Sequence, residues 1–140
     1  MIDILQEAGI GLAYGVVGIA LMGLGFVLVD LLTPGKLSKL IWTDRNIGAA
    51  AVLSAQLLGV GLIVSTAILS SEGGFATGLA STLIYGLIGI LLMGLAFLVI
   101  DLVTPGKLGE TIVEAQAHPA AWVVAAAYLS IAGIVAAAIS

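Results

Sequence analysis

Apolar residues in this chain fall into four long blocks, at 8–32, 47–70, 78–103 and 119–139, divided by short polar segments. Each block holds at least about 20 residues, enough for a helix to cross a hydrocarbon core of roughly 30 Å. The pattern predicts a bundle of spanning helices rather than a water-soluble globule. The boundaries carry their own signals. Pro34-Gly35 and Pro105-Gly106 close the first and third helices. Asn46 stands where its side chain caps the second helix by accepting an orphan N–H. Pro119 falls in the first turn of the fourth, where a missing N–H costs nothing. Ser70-Ser71-Glu72-Gly73-Gly74 reads as a flexible joint between the second and third.

The first and third blocks are nearly the same block. Residues 14–37 read YGVVGIALMGLGFVLVDLLTPGKL and residues 85–108 read YGLIGILLMGLAFLVIDLVTPGKL, identical at 16 of 24 positions with an offset of 71. The expected fold is therefore all-α: a polytopic membrane protein whose four transmembrane helices are a tandem repeat of a two-helix hairpin. It forms a single transmembrane domain, 1–140, with internal repeats at 8–70 and 78–140. A two-helix repeat preserves direction, so the halves should be related by an approximate two-fold along the membrane normal, not by inversion. Alternating-access carriers often use inverted repeats, though some use parallel ones.

Composition agrees. The chain is 61% hydrophobic and 9% charged, against about a quarter charged in a soluble domain. The absence of cysteine excludes thiolate chemistry and disulfides, and a single histidine leaves little for a zinc site. A net charge of -4 with no basic patch gives nucleic-acid binding no footing. The opening MIDILQEAGIG is acidic where a secretory signal is basic. All four bases, Lys36, Lys39, Arg45 and Lys107, lie in the two Thr-Pro-Gly-Lys loops, while Asp3, Glu7 and Glu72 lie at the other ends. Short loops rich in Lys and Arg stay cytoplasmic. Those loops are expected inside and both termini periplasmic, in a bacterial inner membrane.

Small residues draw stripes along the helices. Gly11, Gly15, Gly18, Met22 and Gly25 share one side of helix 1, and their counterparts in helix 3 are Thr82, Gly86, Gly89, Met93 and Ala96. Lipid supplies no hydrophobic push between helices, so close packing of small residues drives association. The stripes are expected to be helix seams, with Met22 and Met93 as adaptable fillers. Gly48, Ala51, Ala55 and Gly59 form a small side on helix 2, and helix 4 is rich in alanine. Surface of this kind suits a homo-oligomer as well as one bundle.

Few polar groups remain as candidates. Asp30 and Asp101 sit at equivalent helix C-termini, three residues before Thr33 and Thr104, where the helix dipole is mildly unfavourable to a carboxylate. They read as hydrated interfacial acids bonded by Thr33 or Thr104, or paired with Lys36 or Lys107. The alternative is a carboxylate pair at the mouth of an ion or proton path. Gln56 lies mid-helix and needs a partner on another helix. Tyr14, Tyr85, Trp42 and Trp122 suit the interfaces, and His118 reads as a solvated loop residue or a pH sensor. Asp44, Arg45 and Asn46 make the first inner loop the more charged one, since Ala115, Gln116 and Ala117 replace them in the second. That loop is the expected docking surface for a cytoplasmic or membrane protein partner. No nucleophile–base arrangement, HExxH, P-loop or dinucleotide fingerprint occurs. No enzyme activity, metal or cofactor is expected.

The doubled LMGLxF run followed by D-L-L/V-T-P-G-K-L resembles the bacterial inner-membrane family known as domain of unknown function 350, a YjfL-like group. The motif residues are Gly23, Asp30, Thr33, Pro34 and Gly35, and Gly94, Asp101, Thr104, Pro105 and Gly106. The resemblance covers essentially the whole chain and implies an integral inner-membrane protein with no settled biochemistry. The expected role is an oligomerising or partner-docking membrane subunit. The alternative is a small channel or transporter for an ion, proton or small solute, formed by an oligomer.

Overall fold

Hydrocarbon leaves a backbone no hydrogen-bond partner but itself, so each apolar block closes into a helix. The computed structural model describes residues 1–104, 106–114 and 118–140. Pro105 and the Ala115-Gln116-Ala117 counterpart of the charged corner lie outside the described residues. Among those described, four helices are long and apolar enough to span a membrane: α1 (Ile2–Leu32), α2 (Ile47–Ser70), α3 (Phe75–Val103) and α5 (Pro119–Ile139). A short helix, α4 (Leu108–Ile112), follows α3, and a π-helical turn over Lys39–Thr43 follows α1. The protein is an all-α, multi-pass membrane protein.

α2 and α5 begin and end where the sequence places them, because Asn46 and Pro119 are local signals. α1 and α3 start earlier than expected, at Ile2 and Phe75. The 31 residues of α1 exceed the span of the hydrocarbon core by about ten. Asp3 and Glu7 ride on that overhang, where the positive end of the helix dipole favours acids. Gly74, at φ 101°, supplies the reversal from which α3 starts.

α2 is the hub. Its most apolar stretch is 56% buried, against 22% for α1 and 33% for each of α3 and α5. It packs on all three other spans, α3 also touches α1 and α5, and α1 and α5 form no comparable interface. Small residues make this possible. A Cβ at Gly59 would fall 2.6 Å from the Met93 methyl and 3.1 Å from Ala132 Cβ. Gly48 passes directly beneath the Ile112 carbonyl. The main core gathers Val52, Ile63, Met93, Phe97, Val124 and Tyr128, and a smaller one joins Leu21, Val60, Val64 and Ile90.

Candidate functional site

The polar machinery lies at the loop end of the bundle, in two matching corners. After Thr33 the chain turns through Gly35 at φ 81°, and after Thr104 through Gly106 at φ 84°. A new helical turn then starts at Leu37 and at Leu108, each with an orphan N-terminal N–H. Asp30 Oδ1 accepts the Leu37 N–H at 2.7 Å, and Asp101 Oδ1 accepts the Leu108 N–H at 2.7 Å. Each carboxylate ends one helix yet caps the next element across its loop, and a charge-assisted bond offsets the poor dipole placement. Leu37 and Leu108 are completely buried, so each bond pins a plug of the core. The partners differ from the expected ones. The Thr33 hydroxyl donates to the Val29 carbonyl at 2.9 Å and the Thr104 hydroxyl to the Ile100 carbonyl at 2.8 Å. A carbonyl one turn back is simply nearer to a helix-terminal Thr than the aspartate is.

Asn46 does more than cap. Its Oδ1 accepts the Ala49 N–H at 2.9 Å, while Nδ2 donates to the carbonyls of Val113 at 2.9 Å and Glu114 at 3.4 Å. The corner after α1 is thereby stitched to the segment that follows α4. Arg45, at φ 53°, turns the corner that aims Asn46. His118 Nδ1 accepts the Ala120 N–H at 3.1 Å, so the residue read as a loop histidine caps α5. Sequence reasoning missed the long-range clamp by Asn46 and the local cap by His118; an Asn immediately before a helix signals only its cap. Lys36, Lys39, Asp44, Arg45 and Lys107 are exposed around the rim, with Trp42 69% exposed beside them.

Gln56 is fully buried within the bundle, against α1. A Cβ at Gly25 would stand 3.0 Å from its Nε2. Among the described residues, both Gln56 amide atoms and the Tyr128 hydroxyl are buried without a hydrogen-bond partner. Gln56 and the two aspartates are not assembled into one site, since each carboxylate is engaged in its own loop.

The two small-residue stripes meet opposite fates. On α3, Thr82 and Met93 are fully buried, Gly86 lies against Leu21 and Gly89 against Ile63. On α1, Gly25 is buried, Met22 is half-buried and Gly18 only grazes Val64 at 3.8 Å. Gly11 and Gly15 have nothing within 4 Å of a Cβ position. Together with Tyr14 and Ile68 they line an open, almost wholly apolar groove of about 680 Å³. The groove continues past Tyr14 to Ile10 and Glu7, and the Tyr14 ring packs edge-on against Phe75 at 5.8 Å.

Related sequences agree with this architecture. The profile of the family described as Domain of Unknown Function (DUF350) matches residues 3–139. A "UPF0719 transmembrane protein" of Mycolicibacterium paratuberculosis is 39% identical over 137 residues, covering 98% of this chain and 91% of its own length. Proteins of the same description from Mycobacterium bovis and Mycobacterium tuberculosis are each 35% identical over 127 residues, covering 91% of this chain and 84% of their own. No solved structure matches. The matched profile reaches from the first turn of α1 to the end of α5, and the chain belongs to the family of Domain of Unknown Function 350.

Proposed function

We propose that the chain is a non-enzymatic inner-membrane subunit that assembles with copies of itself through α1. The observation that carries this reading is the unequal fate of two equivalent surfaces. The α3 stripe of Thr82, Gly86, Gly89 and Met93 is covered inside the chain, while the α1 stripe of Gly11, Gly15, Gly18 and Met22 is left open. A parallel repeat, with both termini outside and the basic loops inside, would pair α1 with α5 as α3 pairs with α2. That pairing is missing within one copy. A second α1 supplies the close small-residue contact instead. The exposed Lys36, Lys39, Asp44 and Arg45 then form a charged rim for a cytoplasmic partner.

A conduit through a single bundle has less support. Both carboxylates already serve loop N–H groups, and Gly25 leaves Gln56 tightly covered. Single-molecule photobleaching in nanodiscs tests the assembly. The wild type is expected to give oligomers, and Gly11→Leu with Gly15→Leu monomers, because neither site is crowded within the bundle. Monomers in the wild type, or oligomers untouched by both substitutions, would overturn it. Liposomes carrying the protein are expected to show no proton or monovalent-cation flux that depends on Asp30 and Asp101.

A further inference from the structure

A second groove, on the α1–α3 face, differs in kind from the open stripe of α1. At the loop end a cavity of about 370 Å³ is walled by Leu32, Thr33 and Pro34 on one side and by Asp101, Lys107 and Glu110 on the other. An apolar groove of about 300 Å³ runs from it along Leu28, Leu91, Gly94 and Leu95. The two share Leu32 and Leu98, so polar head and apolar tail form one channel. From Leu98 to Leu91 is seven residues of α3, about 10 Å toward the middle of the membrane. Gly94 opens the groove, since a Cβ there would press on Leu28 at 3.2 Å.

We propose that this channel binds one phospholipid with an amine-bearing headgroup. The headgroup cavity offers both signs of charge. The Lys107 ammonium suits a phosphate, and the Asp101 and Glu110 carboxylates suit an ammonium that donates hydrogen bonds. Asp101 spends Oδ1 on Leu108, and Oδ2 makes no further hydrogen bond among the described residues. Two acids against one base favour a zwitterion over an anionic lipid. Leu91, Leu95 and Leu98 are exposed to the bilayer, so the tail groove is filled from the lipid phase. The site belongs to one repeat alone. Gly109 lets α4 lie directly against the Leu32 carbonyl, and its counterpart in the first repeat is Ser38. The counterpart of Glu110 is Lys39, which inverts the charge.

The test uses the full chain, delipidated in detergent and titrated with phosphatidylethanolamine and phosphatidylglycerol of identical acyl chains, read by native mass spectrometry. Phosphatidylethanolamine is expected to bind about tenfold more tightly, the worth of one charge-assisted contact. Glu110→Lys is expected to reverse the order and Glu110→Gln to erase it. Both change an exposed side chain, and the conservative variant decides should the other fail to fold. Leu98→Gln is expected to weaken both lipids alike. Equal binding of the two lipids by the wild type, or a ratio unmoved by Glu110→Gln, overturns the proposal. So does competition by soluble phosphoethanolamine as effective as that by the lipid. None of these outcomes depends on whether copies assemble through α1.

Discussion

Asn46 is the side chain whose replacement separates two physical roles. It is 9% exposed, caps α2 through Oδ1 and clamps the segment after α4 through Nδ2. Capping alone ranks Asn, Asp and Ser as near equals and places Ala about 1 kcal/mol below them. The clamp adds an amide–carbonyl bond to Val113 at 2.9 Å, worth about 1 kcal/mol net. Asn46→Ser keeps the cap and loses the clamp, for a cost of about 1 kcal/mol. Asn46→Ala loses both, for about 2 kcal/mol. Asn46→Asp keeps the cap but turns an acceptor toward the carbonyls of Val113 and Glu114. Its cost is about 2–3 kcal/mol at neutral pH, from lone pairs facing lone pairs in a buried site. Those carbonyls raise the folded-state pKa of the introduced carboxyl. Its deficit therefore grows as pH rises through the carboxylate range and disappears below it, where the protonated acid donates. Equilibrium unfolding of the purified protein in bicelles measures all three variants. An Asn46→Asp protein as stable as the wild type at neutral pH would refute the clamp and leave Asn46 an ordinary cap.

Two further outcomes follow from the packing. Gln56→Met and Tyr128→Phe remove buried polar atoms without partners. Both are expected to be neutral or stabilising, by up to about 1–3 kcal/mol in the same unfolding assay; a clear loss of stability would mean that the amide or hydroxyl is bonded. Gly48→Ala drives a Cβ into the Ile112 carbonyl, a backbone atom that cannot swing aside. Its expected cost of about 2 kcal/mol should exceed that of Gly86→Ala, whose nearest neighbours are side-chain atoms of Leu21 rather than backbone. Equal costs would argue against so close a crossing of α2 beneath α4.

Much of the site resisted reading because its partners are distant in sequence. Asp30 and Asp101 stand out as repeated acids at helix ends, but their acceptor role depends on how Gly35 and Gly106 fold each loop back. The Asn46 cap is local and legible. The Asn46 clamp reaches 67 residues along the chain and is not. His118 is a different case: its cap is local, two residues along the chain, yet nothing about a lone histidine before a proline announces it.

Sequence alone determined the number of spans, the ends of α2 and α5, the near-identity of residues 14–37 and 85–108 and the segregation of its four bases. These follow from terms that act residue by residue: transfer of side chains into hydrocarbon, backbone hydrogen bonds closed within a segment, and caps a few residues away. Tertiary structure decided that α2 is the hub, and that Gly86 and Gly89 are covered while Gly11 and Gly15 lie open. It also joined a charged cavity to an apolar groove at Leu32 and Leu98. The near-identical stretches 14–37 and 85–108 carry much the same local preferences, so the choice of neighbour in three dimensions gives them different surroundings.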